Sequence, residues 1–60
     1  MKLYIYPDGE VFEMLAEDKS DDFFVVDTEQ SFKEIALAVE SHFGPTVQSL
    51  SVMNEVCEYL

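Results

Sequence analysis

Arginine is absent from the 60 residues, and there are only three lysines, one histidine and one cysteine. Each shortage removes a class of chemistry. Guanidinium forks are the usual clamps for substrate carboxylates and phosphates, and lysines replace them poorly. A structural zinc site takes about four Cys or His ligands, so His42 and Cys57 do not build one within a single chain, and no metal ligands are assigned. A lone cysteine forms no intramolecular disulfide, the staple of small secreted domains, which favours a reducing, cytoplasmic location. There is no glycine-rich phosphate loop and no Ser/His/Asp grouping arguable from spacing, so the chain reads as no enzyme and as carrying no cofactor. Long apolar runs are missing too. The opening Leu3–Tyr6 stretch meets Pro7, Asp8, Gly9 and Glu10 well before a signal peptide or membrane span is complete.

What is abundant is acid. Thirteen Asp and Glu against three lysines give a net charge of −10, yet 48% of the chain is hydrophobic, with five Phe and three Tyr. Low hydrophobicity, the mark of a disordered acidic tail, is therefore absent, and the sequence describes a folded polyanion. Its length allows one domain, residues 1–60, with one core at most and marginal stability, because a chain this short buries only about 60% of its unfolded surface. Carboxylate repulsion lowers that stability further, so a partner or a second copy helps. Nucleic acid and anionic membranes repel such a charge, whereas basic protein surfaces attract it.

The apolar pattern predicts an α+β fold. Lys2–Tyr6 alternates, with Leu3 and Ile5 on one face and Tyr4 and Tyr6 on the other, as a strand does. Pro7-Asp8-Gly9 supplies a fixed φ, a backbone-binding side chain and a residue tolerant of positive φ, which together make a hairpin turn. Glu10–Ala16 reads as the second strand, Glu17–Asp22 as a polar loop, and Phe23-Phe24-Val25-Val26 as a third strand. Ser31-Phe32-Lys33-Glu34 matches a capping box, Phe32, Ile35, Ala36, Val39 and Phe43 recur at helical spacing, and Gly44-Pro45 ends the pattern. A helix is predicted over about 32–43. Val47, Leu50, Met53, Val56 and Leu60 also suit a helix, but the alternation through Ser49–Met53 favours a C-terminal strand or hairpin. The expected architecture is an antiparallel sheet of three to five strands with a single helix packed on one face.

One helix covers one side of a sheet. With Leu3, Ile5, Phe12 and Met14 toward the helix, the opposite side carries Tyr4, Tyr6, Val11, Leu15 and one of Phe23 or Phe24, rimmed by Glu13, Glu17, Asp21 and Asp22. Aromatic anchors within a charged rim have the anatomy of a protein interface. A second C-terminal helix would instead cover that side. Leu37, about 140° from the helix stripe, points outward as a further contact. The partner-binding residues are accordingly Tyr4, Tyr6, Glu13, Leu15, Glu17, Asp18, Asp21, Asp22 and Leu37.

Other constellations are weaker. Asp18, Ser20, Asp22 and Glu29 fall on positions 1, 3, 5 and 12 of a calcium loop and so resemble an EF-hand over 12 residues, but Phe23 stands where that loop needs Gly. A solvated acidic loop is the simpler reading. Asp21 and Asp22 lack the concave pocket that acid/base chemistry requires. His42 is expected to meet the carbonyls at a helix C-terminus, and Cys57 to be a small buried hydrophobe.

Size, charge and the hairpin-then-helix order resemble, as a class, the small acidic inhibitors that phages and mobile elements encode against host nucleic-acid enzymes. That resemblance implies a non-enzymatic protein-binding module occupying a basic, nucleic-acid-binding surface of a partner by nucleic-acid mimicry. The alternative is a small homodimeric structural or regulatory subunit whose exposed aromatic sheet face self-associates.

Overall fold

A computed structural model describes residues 1–19 and 21–60. Three antiparallel strands, β1 (Lys2–Ile5), β2 (Val11–Phe12) and β3 (Phe24–Asp27), form an open sheet, followed by two helices, α1 (Phe32–Phe43) and α2 (Val47–Cys57). The fold is a small α+β one. No helix among the described residues is long and apolar enough to cross a membrane.

The first turn sets the register. Gly9 N–H donates to the Tyr6 carbonyl at 2.9 Å, and Tyr6 N–H donates to the Glu10 carbonyl at 2.9 Å. The loop is therefore the three residues Pro7, Asp8 and Gly9, closed by Gly9 at φ +91°, as three-residue hairpins are. Asp8 Oδ1 accepts from Glu10 N–H at 3.0 Å and fixes the bend. An odd-length loop pairs residues of equal parity, so Ile5 faces Val11 and Tyr4 faces Phe12. Val11, not Phe12, thus joins Leu3 and Ile5 on the core side, which corrects the assignment of β2 drawn from alternation alone. The strand also stops at Phe12, leaving Met14 and Leu15 outside the sheet and exposed.

Strand order is β2-β1-β3, with β1 in the centre. Leu3 opposes Val26 and Ile5 opposes Phe24 on one face, while Lys2 opposes Asp27 and Tyr4 opposes Val25 on the other. The free edge of β3 is blunted at its end, because Asp27 N–H donates to Gln30 Oε1 at 2.9 Å and Gln30 N–H donates to the Asp27 carbonyl at 3.0 Å. Such capping hinders addition of another strand there.

Helix α1 matches its predicted span. Ser31 Oγ accepts from Glu34 N–H at 3.2 Å, and the Glu34 carboxylate accepts from the Ser31 hydroxyl at 3.2 Å in place of the backbone amide of a full capping box. Gly44, at φ +73°, ends the helix by donating to the Glu40 carbonyl at 2.7 Å. Ile35 and Val39 are fully buried, but Phe32, a turn ahead of them, stays 58% exposed instead of joining the core.

The tail is a helix, not strands. Thr46 caps it, its Oγ1 accepting from Ser49 N–H at 3.4 Å, and Ser49, Val52 and Val56 face inward at helical spacing. Burial of this stripe outweighs the low helix propensity of a Ser- and Val-containing segment. Both helices pack on the same face of the sheet: Leu3, Ile5, Val11 and Val26 form one core with Ile35, Val39, Val52 and Val56. The second helix therefore does not cover the tyrosine side. Cys57, one position past Val56 on this helix, points out and is exposed instead of buried.

Gly9 is the residue on which the register turns. A Cβ there would meet Gln48 Nε2 at 3.4 Å and Val52 Cγ2 at 3.6 Å, ordinary contacts, so the cost of a side chain is conformational. Gly9→Ala is expected to lose about 1 kcal/mol or more, read as a lower urea midpoint with an unchanged slope.

Candidate functional site

Because β2 and β3 flank β1 on opposite sides, the connection from residue 13 to residue 23 has to cross β1. The helices occupy one face, and the connection takes the other. Of its described residues, 13–19 lie as a strap over an aromatic floor and 21–23 lead into β3. Tyr6 rests edge-on against Phe12 and tilted against Phe23, both with ring centroids 5.5 Å apart, and Tyr4 meets Phe23 edge-on at the same separation. Such pairs add to area burial through their quadrupoles.

Two contacts tie the strap down. Ala16 N–H donates to the Tyr6 hydroxyl at 2.9 Å, satisfying a phenol that is only 2% exposed. Lys19 Nζ lies 2.6 Å from Asp8 Oδ2 and 3.3 Å from Glu10 Oε2. The same ammonium stands 5.7 Å above the Tyr6 ring centroid and 5.8 Å from that of Phe12. Lys19 thus closes a cradle of two carboxylates and two rings, joining strap to hairpin turn. Its hydrogen bond to Asp8 raises the Lys19 pKa, and that bond, with the Glu10 amide, lowers that of Asp8.

The predicted contact residues separate into groups. Glu13, Leu15, Glu17 and Asp18 lie exposed on the strap, and Asp21 and Asp22 lie exposed just before β3. Tyr6 is buried beneath the strap and Tyr4 half-buried beside it, so the aromatic face is a floor, largely covered by the chain's own strap. Leu37 is exposed as expected, but on the outward side of α1, across the molecule from the others. His42 sits in the last turn of α1 as expected and lays its ring on Phe24, centroids 3.8 Å apart and planes 3° apart.

Sequence reasoning missed Phe12, Lys19 and Met14. The parity of a three-residue turn would have placed Phe12 beside the tyrosines. Lys19 was legible as the only cation among Asp8, Glu10, Glu13, Glu17, Asp18, Asp21 and Asp22. Met14, 72% exposed, and Leu15, 55% exposed, crown the strap between Glu13 and Glu17.

Of the calcium-loop positions, Ser20 lies outside the described residues, and β3 runs through the spacing and carries Glu29 to its far end. Among the described residues, no three His, Cys, Asp or Glu side chains converge to hold a metal.

The lowered Asp8 pKa has a pH consequence. A carboxyl depressed in the folded state adds stability above its ordinary value of 3.8 and loses it as pH falls through the folded value. Asp8→Asn is therefore expected to melt below the parent at pH 7, with the gap closing as pH falls below 3.8 in paired calorimetric scans. Comparison with known protein families, curated proteins and solved structures finds no match, so the functional reading rests on this chain's own geometry.

Proposed function

We propose that this protein is a non-enzymatic binding module that occupies a basic, nucleic-acid-binding surface of a partner protein, in the manner of small acidic inhibitors from phages and mobile elements. One observation carries the reading. Met14 and Leu15 stand exposed on a strap whose remaining charge, after Lys19 is taken by Asp8 and Glu10, is entirely acidic. Glu13 and Glu17 flank these two apolar anchors in sequence, with Asp18, Asp21 and Asp22 exposed after them, an arrangement by which charge steers encounter and a small apolar centre holds the complex.

Charge density supports mimicry of a nucleic-acid strand. Ten net negative charges over a longest extent of 29 Å give about one per 3 Å, within a factor of two of the ~1.7 Å per charge along a duplex axis. Self-association through the aromatic face has less support, since the strap already covers Tyr6 and each copy brings a net charge of −10.

The test is capture from the native host's lysate at low salt, elution by a salt gradient, and competition of the eluted protein with single-stranded DNA or RNA. Reversing Glu13, Glu17 and Asp21 to Lys is expected to slow association about tenfold or more at low ionic strength. Met14→Ser with Leu15→Ser is expected to speed dissociation and leave the on-rate in place. A complex indifferent to salt, or one that nucleic acid does not displace, overturns the reading.

A further inference from the structure

The Lys19 contact is built like a ligand site. Two carboxylate oxygens grip the ammonium at 2.6 and 3.3 Å while Tyr6 and Phe12 offer ring faces below it. This pairing of anions with aromatic faces is how alkylammonium groups are recognised. Beside it opens a cavity of about 310 Å³ lined by Tyr6, Pro7, Asp8, Asp18 and Lys19 itself. Asp18 on that wall is exposed and makes no ion pair among the described residues. A second cation therefore has both room and an anion to meet before Lys19 leaves.

We propose that the cradle of Asp8, Glu10, Tyr6 and Phe12 is a receptor for a primary alkylammonium group, filled at rest by the chain's own Lys19, and that a lysine of the basic partner displaces it. This rests on the functional reading above for the identity of the displacing group, but the cradle's selectivity stands apart from it. The exchange conserves charge: one ammonium leaves for water as another enters, so the carboxylates stay paired throughout. The cradle holds a lysine at rest, a compact point charge on a flexible stem that a planar guanidinium does not match in shape. Displacement frees the Lys19 end of the strap while the Ala16–Tyr6 hydrogen bond keeps the already exposed Met14 and Leu15 in place beside the incoming partner.

Chemical rescue tests the site without any partner. Lys19→Ala is expected to melt several degrees below the parent, and n-butylammonium chloride at about 100 mM, near the ionic strength at which the Debye length is ~10 Å, is expected to recover more of that loss than the general screening by equal NaCl does. Methylguanidinium chloride should recover less, and Lys19→Ala combined with Asp8→Asn none. Should Lys19→Ala not fold, Lys19→Met keeps the stem over the rings, and butylammonium titration of that variant is expected to shift the Tyr6 and Phe12 ring protons saturably. Recovery or shifts equal to those in NaCl overturn the cradle. Failure here with salt-dependent capture intact leaves the binding module standing and removes only the receptor.

Discussion

Placing β1 between β2 and β3 is the constraint from which the rest follows. A chain that leaves one edge of a three-stranded sheet and re-enters at the other must pass over the central strand, and each face can hold only one layer. The two helices fill the face of Leu3 and Ile5, so the crossing runs over Tyr6 and Phe12. Tyr6, just past the end of β1, is thereby buried, while Tyr4 stays half-buried and Lys2 exposed on the same side. The described residues of the crossing form no ladder, and residues 13–19 hold to the sheet through the Ala16–Tyr6 hydrogen bond and Lys19.

That segment is also where acid is densest, which sets cohesion against repulsion at one place. Between positions 8 and 22 seven carboxylates meet one lysine. Two of them, Asp8 and Glu10, are used to anchor the strap, and the others face solvent. An exposed ion pair ordinarily contributes little. Here the ammonium also lies over aromatic rings and the Lys19 side chain as a whole is largely covered, at 23% exposure, so its stem and charge act together. The remaining carboxylates on the strap make no ion pair among the described residues, and on the proposed reading they steer a basic partner.

The sequence was most legible where local chemistry and packing agreed. The Ser31 cap, the Ile35–Val39 stripe and Gly44 fixed α1 at its observed ends, and the outward direction of Leu37 followed from the same wheel. Legibility failed where one pattern fitted two periods. Ser49–Met53 alternates like a strand, but Thr46 after Gly44-Pro45 is a helix cap, and Ser49, Val52 and Val56 bury at helical spacing. With the tail misread, Cys57 was assigned to the interior. The face of Phe12 was lost by a parity step, since a loop of three residues rather than two sends every side chain of β2 to the other side. On the candidate site, the acidic rim was readable from composition. Its cover was not, because strand order is a long-range fact.

Stability and recognition are consequently drawn from the same charges. The carboxylates that the fold leaves unpaired raise its free energy by mutual repulsion, and a cationic surface docking on the strap relieves that repulsion. A partner that binds only the folded state stabilises it by mass action, about 2.7 kcal/mol when its concentration is a hundred times Kd. For a domain whose small core leaves little reserve, that gain is comparable to the loss of a buried side chain. On the proposed reading, the acidity that makes the free chain marginal is therefore what makes its complex stable. On that same reading the exposed acids and the exposed Met14 and Leu15 are two parts of one arrangement, with the first drawing a basic partner in and the second holding it.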